Sequence, residues 1–255
     1  MDIEILGSAG GDYKRYRSTS LLINRKTLID AGAVVSLLKI DEILEIDNII
    51  LTHPHIDHVK DIAMISDLII KKRRTPLNIW GTRHTISVLK NHLFNDLLWP
   101  DFTKIPNKKN PTIKYMTFTT EKHIKIDELK IFPIPVNHTI ETMGFIISQK
   151  MSAFAISGDT GPTDKLWEYI NNEKNIKCIF VELSFPNSKS DIAKDSKHLT
   201  PNTLKTELSK LKRHKNIPIF LYHLKPLFHD TLMKEIKEHF NSNIIPLNSN
   251  DRFKF

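Results

Sequence analysis

The stretch THPHIDH, residues 52 to 58, places three histidines and one aspartate within six consecutive positions. It follows the apolar run DNIILT (47–52), which is predicted to be a buried strand. Apolar residues at 59, 62, 65 and 69 come after it, at a spacing that predicts an amphipathic helix. We expect His53 and His55 to project to one side of the strand end, while Asp57 and His58 point elsewhere as the helix begins. The pattern therefore predicts a loop that can bind two metal ions.

Three more candidate ligands stand where a predicted apolar strand ends: His138 in VNHT, Asp159 in SGDTG and His223 in LYHLK. Open α/β folds keep their chemistry in loops at strand ends, so we expect these side chains to join the histidine run. Neutral imidazoles with one or two carboxylates favour zinc, manganese, iron or nickel over magnesium or calcium.

Length and composition limit the class of protein. A chain of 255 residues is within the range that α/β proteins use for one domain, so a single domain over 1–255 is expected. The net charge of +8 suits anionic partners, although the lysines are spread along the chain and form no basic arm. One cysteine, Cys178, excludes a disulfide framework, and neither a membrane span nor a signal peptide is predicted. A cytoplasmic location follows as an expectation.

The other patterns predict alternating strands and helices. Hairpin strands are predicted within the first thirty residues, and a helix is predicted over AVVSLLKI (33–40). Strand, loop and helix then recur through the second half of the chain. Thr200 and Pro201 predict a helix start, as its cap and its first residue.

The segment 94–111 is irregular and is predicted to be a long loop or insertion near the site. Its aromatic residues Phe94, Trp99 and Phe102 either form a face on which a purine stacks or make core or subunit contacts. The histidines outside the predicted site, at 84, 92, 123, 214, 229 and 239, are expected at the surface.

Taken together, the motifs resemble the class II cyclic-nucleotide phosphodiesterases of the metallo-β-lactamase superfamily. The matching segments, in order, are HPHIDHVKDIAMIS (53–66), LWPDF (98–102), ISGDTGPTD (156–164), VELSFPN (181–187), KHLTP (197–201) and YHLKP (222–226). Two positions depart from the family pattern, because Asp61 and Lys197 stand where the family usually has glycine. The resemblance implies an α/β fold, the αββα four-layer sandwich, with metals at one rim.

Transferred residue by residue, the resemblance also implies two divalent metal ions, with zinc expected and manganese, iron or nickel as alternatives. Seven residues are implied as ligands: His53, His55 and His138 on one ion, Asp57, His58 and His223 on the other, and Asp159 bridging both.

The implied reaction is hydrolysis of a 3′,5′-cyclic nucleotide, cyclic AMP or cyclic GMP, to the 5′-nucleoside monophosphate. Two cations about 3.5 to 4 Å apart can hold a bridging hydroxide for in-line attack on phosphorus. The departing 3′ oxygen needs a proton, which we assign to His198 as general acid. Glu182 is expected to orient that imidazole, and Asp57 completes the predicted catalytic set. Asp30 either steadies a ligand histidine or is a plain turn residue.

Two alternatives stay open. A tRNA 3′-processing endonuclease of the tRNase Z type would share the metal core and the acid histidine, although the chain has no glycine-rich lysine arm to grip tRNA. A non-catalytic, metal-stabilised nucleic-acid-binding protein would bind in a strongly salt-dependent manner and turn nothing over. On the leading interpretation the partner is a small cyclic nucleotide, neither nucleic acid nor membrane is expected, and the resemblance implies a homodimer.

Overall fold

The computed structural model describes residues 1–212 and 216–255, which form two compact units. The first unit comprises residues 1–7, 17–118 and 249–254, and the second comprises residues 8–16, 119–248 and 255. Each unit is built on a seven-stranded sheet. His214, predicted at the surface, lies outside the described residues.

The sheet of the first unit is mixed, with strand order β16-β1-β2-β3-β4-β5-β8. Its strands are β1 (Asp2–Gly7), β2 (Ser20–Ile23), β3 (Thr27–Ile29), β4 (Asn48–Ile50), β5 (Leu77–Gly81), β8 (Ile113–Thr117) and β16 (Arg252–Lys254). A small hairpin pairs β6 (Pro106–Asn107) with β7 (Asn110–Pro111). The helices are α1 (Ile40–Leu44), α2 (Ile56–Ile69) and α3 (Arg83–Val88), the last continued by a π-helical turn, Leu89–Leu93.

Helix α2 follows the histidine run as predicted. Its apolar residues at 59, 62, 65 and 69 are all buried, because they share the face that packs into the hydrophobic core of this unit. The strands before it are short and parallel, β3 beside β4, so both deliver their following loops to the same edge of the sheet.

The helix predicted over 33–40 is wrong. Residues 35–37 form a turn flanked by bends, and α1 begins only at Ile40. The Asp61 carboxylate on α2 accepts the N–H groups of Val34, at 2.6 Å, and Val35, at 2.9 Å. These two charge-assisted hydrogen bonds hold the segment in a turn, and they explain how an aspartate is accommodated at position 61.

Segment 94–111 is irregular apart from the β6–β7 hairpin, as predicted. Phe94 and Phe102 are buried in the hydrophobic core and meet edge to face, with ring centroids 6.3 Å apart. Trp99 is half-buried against the same core. The structure therefore supports core packing, rather than base stacking, for these aromatic residues.

The second unit has strand order β15-β14-β13-β12-β11-β10-β9. Its strands are β9 (Ile124–Ile126), β10 (Leu129–Pro135), β11 (Met143–Gln149), β12 (Ser152–Ile156), β13 (Ile176–Glu182), β14 (Ile219–Tyr222) and β15 (Ile244–Pro246). The helices are α4 (Lys165–Asn172), α5 (Ser190–Asp195), α6 (Pro201–Leu208) and α7 (His229–His239), with 3₁₀ turns at Asn187–Lys189 and Pro226–Phe228.

Strands β12 to β15 are parallel and alternate with helices, which confirms the predicted strand–loop–helix rhythm. Their almost continuous apolar runs are buried, as expected for parallel strands covered on both faces. Helix α6 begins as predicted, since the Thr200 hydroxyl accepts the Thr203 N–H and Pro201 occupies the first helical position. The parallel strands end at one edge of this sheet, where the loops of the candidate site begin.

Of the histidines expected at the surface, His84, His92 and His123 are exposed, whereas His229 and His239 are half-buried. Among the helices of the described residues, none has the length and apolar character that crossing a membrane would require.

Candidate metal centre

In the first unit the histidine run folds into a compact group, the histidine-run cluster, formed by His53, His55, Asp57 and His58. His55 is the N-cap of α2, in extended conformation, so the chain turns sharply there. The His53 ring centroid lies 4.5 Å from that of His55 and 4.2 Å from that of His58. Asp57 Oδ2 lies 4.0 Å from His58 Nε2. Four ligand-type side chains thus share one small region at the end of β4.

Asp30 orients this cluster, which decides between the two interpretations of that residue. Its side chain is 1% exposed and accepts both the Thr52 N–H and the Thr52 hydroxyl, each at 2.8 Å. The same carboxylate lies 2.7 Å from His58 Nδ1. Such a bond places the ring proton on Nδ1 and leaves the Nε2 lone pair of His58 for a ligand.

Gly32 lets the loop after β3 approach the histidine run. A Cβ at this position would lie 2.0 Å from the Asp57 carbonyl oxygen, which no side chain can tolerate. The Ala31 N–H donates to the His58 carbonyl oxygen at 2.7 Å. Close backbone contact therefore locks the start of α2 against the loop that carries Asp30.

In the second unit a second group of ligand-type side chains lies near the strand ends. We call it the strand-end cluster, and it is formed by His138, Asp159, Glu182, His198 and His223. Every member is buried. The closest possible ligand atoms of His138, Asp159 and His198 lie within 4.8 Å of one another, and so do those of Glu182, His198 and His223. The structure thus brings together residues that are up to 85 positions apart in the sequence, from 138 to 223.

Asp159 and His223 lie close enough to be able to share one cation. Asp159 Oδ2 lies 3.1 Å from His223 Nε2. Two ligands at about 2.1 Å from a tetrahedral zinc ion would be about 3.4 Å apart, and a wider coordination shell brings them closer. Imidazole and carboxylate are also the ligands that transition-metal dications prefer. The residues of this cluster therefore fit a divalent metal.

His198 lies beside a buried carboxylate, as predicted. Its Nδ1 is 3.4 Å from Glu182 Oε1 and 3.1 Å from the hydroxyl of Ser184, which itself donates to Glu182 Oε2 at 2.6 Å. Burial disfavours the imidazolium, but the charges of Glu182 and Asp159 and the bond to Glu182 outweigh that effect and raise the pKa of His198 above its ordinary value. The charged form of the His198 imidazole is therefore stabilised.

Ser184 is a site residue that the sequence analysis missed. Besides its bonds to Glu182 and His198, its hydroxyl lies 2.9 Å from His223 Nδ1. One signal was present, because residues two apart on an extended chain face the same side, and Ser184 follows Glu182 by two.

Lys197 replaces the glycine of the family pattern and still adopts a left-handed conformation, with φ of 52°. Its carbonyl oxygen accepts a hydrogen bond from His138 Nδ1 at 3.2 Å, and its ammonium group donates to the His138 carbonyl oxygen at 3.0 Å. A lysine at this position therefore holds His138 from two sides.

The SAGG turn (8–11) contacts the backbone of His223. The His223 N–H donates to the Ser8 carbonyl oxygen at 2.6 Å, and Gly10 packs so closely that a Cβ there would lie 2.6 Å from the His223 carbonyl oxygen. His223 itself has a φ of 66°, so the extended conformation of β14 ends at the preceding residue.

Comparison with known proteins identifies the family. A family described as cAMP phosphodiesterases class-II matches residues 38–248. A probable 3′,5′-cyclic-nucleotide phosphodiesterase from Yersinia pestis is 28% identical over 207 residues, which cover 72% of this chain and 58% of that protein. A ribonuclease Z from Methanococcus maripaludis is 29% identical over 111 residues, covering 42% of this chain and 32% of that one. This chain spans about half the length of the curated relatives it matches first.

Solved structures show the fold. Unliganded yeast PDE1 aligns with a TM-score of 0.81 at 21% identity, covering 98% of both chains. The metallo-β-lactamase fold protein YhfI from Bacillus subtilis aligns with a TM-score of 0.76 at 19% identity, covering 99% of both. The predicted metallo-β-lactamase-like α/β fold is thereby confirmed. Because the family match extends over most of the sequence and includes the segments that form both clusters, the chain belongs to the class-II cAMP phosphodiesterase family.

Proposed function

We propose that the chain is a metal-dependent phosphodiesterase that hydrolyses 3′,5′-cyclic nucleotides to 5′-nucleoside monophosphates. One observation carries the proposal. In the strand-end cluster Asp159 and His223, whose Oδ2 and Nε2 atoms lie 3.1 Å apart, adjoin an imidazole, His198, that a buried carboxylate favours in its charged form. A phosphodiesterase needs both functions side by side, because the substrate must be bound at its phosphate and the leaving oxygen must be protonated.

The proposal includes two divalent ions, with zinc as the expected metal. The ligand set is the one the family resemblance implies: His53, His55 and His138 for one ion, Asp57, His58 and His223 for the other, and Asp159 for both. The orientation of His53 and His58 in the first unit and the Asp159–His223 pair in the second support it. Bound cations of this kind neutralise the charge of the phosphodiester and lower the pKa of water enough for attack at neutral pH.

The remaining chemistry falls to the side chains. His198 donates its Nε2 proton to the 3′ oxygen as the bond to phosphorus breaks, which prevents an alkoxide from building up. Glu182 keeps the imidazole charged and oriented before transfer and compensates its charge. The oxygen of water ends up on phosphorus, the 3′ oxygen becomes a free hydroxyl, and the ribose keeps the phosphate on its 5′ oxygen.

Processing of tRNA 3′ ends is the second candidate. It is favoured by the similarity of this chain to ribonuclease Z over 111 aligned residues. Both activities need metal and a general acid, so only the substrate distinguishes them. Homodimerisation and a cytoplasmic location remain predictions.

The experiment is a comparison of substrates with the purified, zinc-loaded protein. We expect cyclic AMP or cyclic GMP to yield the 5′-monophosphate by chromatography, with loss of turnover on adding a chelator and recovery on adding back zinc. Asp159→Ala should abolish turnover. Trimming of a tRNA precursor without cyclic-nucleotide turnover would replace this proposal by the second candidate, and a 3′-monophosphate product would refute the assigned leaving group.

A further inference from the structure

A single buried hydroxyl in the strand-end cluster has three hydrogen-bond partners. Ser184 is 0% exposed, and its Oγ lies 2.6 Å from Glu182 Oε2, 3.1 Å from His198 Nδ1 and 2.9 Å from His223 Nδ1. A serine hydroxyl has one proton to donate and two lone pairs to accept with, so three partners use its full capacity.

The carboxylate determines how those roles are shared. Glu182 accepts the hydroxyl proton through Oε2, while its other oxygen, Oε1, accepts the Leu199 N–H at 2.8 Å. The proton of Ser184 is thus committed to Glu182, and both lone pairs face ring nitrogens. Each of those nitrogens must then carry a proton, so His198 and His223 are both held with hydrogen on Nδ1.

This tautomer has a different consequence for each ring. His223 carries its lone pair on Nε2, the atom that lies 3.1 Å from Asp159 Oδ2, so two acceptors converge where a cation would satisfy both. His198, with Nδ1 engaged, exchanges its second proton through Nε2. One hydroxyl therefore sets a metal ligand and a proton donor together.

The histidine-run cluster repeats the arrangement with different residues. The Thr52 hydroxyl donates to Asp30 Oδ2 at 2.8 Å and lies 2.9 Å from His53 Nδ1. His58 Nδ1 bonds to the same Asp30 oxygen at 2.7 Å. A carboxylate, a hydroxyl that donates to it and a pair of imidazoles thus occur together in each unit, on segments that are unrelated in sequence.

We propose that Ser184 and Thr52 are positioning residues whose hydroxyls, each held by a carboxylate, fix the neighbouring imidazoles with a proton on Nδ1. For His53 and His223 this places the ligand lone pair on Nε2, and for His198 it leaves Nε2 as the atom that transfers a proton. Only the assignment of those Nε2 atoms to metal rests on the proposed function; the tautomers themselves do not.

The first test reads the tautomers directly. Long-range ¹⁵N–¹H correlation spectra of the purified, zinc-loaded protein report which ring nitrogen carries hydrogen in His198, His223 and His53. We expect Nδ1–H at all three, and Ser184→Thr should keep this pattern for the first two because it retains a hydroxyl. A wild-type spectrum with hydrogen on Nε2 of His223 would overturn the inference without any variant being made.

The second test measures zinc affinity by competition with a chromophoric chelator. Ser184→Ala and Thr52→Val should each weaken zinc binding by about 10- to 100-fold, whereas Ser184→Thr and Thr52→Ser should restore it. Ser66→Ala is the matched control, because Ser66 is equally buried and its hydroxyl donates to the Ile62 carbonyl oxygen rather than to an imidazole. The zinc affinity of this variant should stay within about twofold of wild type. Wild-type affinity in both Ser184→Ala and Thr52→Val would overturn the inference. Failure of the proposed function would look different, as intact tautomers and zinc binding without hydrolysis of any cyclic nucleotide.

Discussion

Replacing His198 by alanine tests whether this residue protonates the leaving oxygen. The imidazole is 8% exposed and held by Glu182 and Ser184, so bulk water cannot readily replace it as proton donor. General acid catalysis accelerates a reaction by about 10²- to 10⁴-fold. Because His198 is buried, we expect the variant to lose about 10³-fold in kcat on cyclic AMP, near the middle of that range. At 1.36 kcal/mol for each factor of ten, this corresponds to about 4 kcal/mol of transition-state stabilisation.

The assay compares two substrates that differ in what their leaving group needs. Hydrolysis of bis(4-nitrophenyl) phosphate expels nitrophenolate, which leaves without a proton, so His198→Ala should slow it by less than about tenfold. His84→Ala, at an exposed position on α3, is the control for loss of an imidazole and should leave both rates unchanged. Equal losses on the two substrates would refute the acid assignment, because the defect would then lie in binding or folding.

Three other predictions concern charge, packing and reactivity. Glu182 raises the pKa of His198, so the imidazolium persists above the ordinary imidazole range and kcat should fall only as pH rises past the raised pKa. Glu182→Gln should move this alkaline decline in kcat to lower pH. A decline at the same pH in wild type and variant would contradict the role of Glu182. Asp61→Ala removes the carboxylate that accepts the N–H groups of residues 34 and 35, so it should lower the free energy of unfolding by about 2 to 4 kcal/mol. Urea titrations measure this change, and a decrease of less than about 0.5 kcal/mol would contradict the role of Asp61. Cys178 is fully buried and its thiol pKa is raised by burial, so an aromatic disulfide reagent should label it only after denaturation, and rapid labelling of the native protein would be the contrary result.

Local patterns in the sequence predict much of the site, because its ligand-type residues stand at strand ends. The apolar run before His53 and the helical spacing after His58 are short-range signals, and both β4 and α2 form where they predict. Convergence of Asp159 with His223 follows from a topological rule, since parallel strands end at one edge of a sheet.

Contacts between distant segments decide the features that the sequence analysis mispredicted or missed. The segment 33–40 has apolar residues at helical spacing. The N–H groups of Val34 and Val35 nevertheless donate to Asp61, which lies more than twenty residues away in the sequence. Ser184 reaches His223 across 39 positions, and nothing in a lone serine reveals that contact. The sequence could not decide whether Phe94 and Phe102 face a ligand or the core, because the core that buries them is assembled from the whole unit.

Anomalous X-ray diffraction at the zinc edge, from crystals of the zinc-loaded protein, tests the central claim most directly. We predict two anomalous peaks per chain, one within coordination distance of His53, His55 and His138 and the other of Asp57, His58 and His223, with Asp159 contacting both. A single peak, or peaks away from the histidine-run and strand-end clusters, would contradict a dinuclear centre built from these residues.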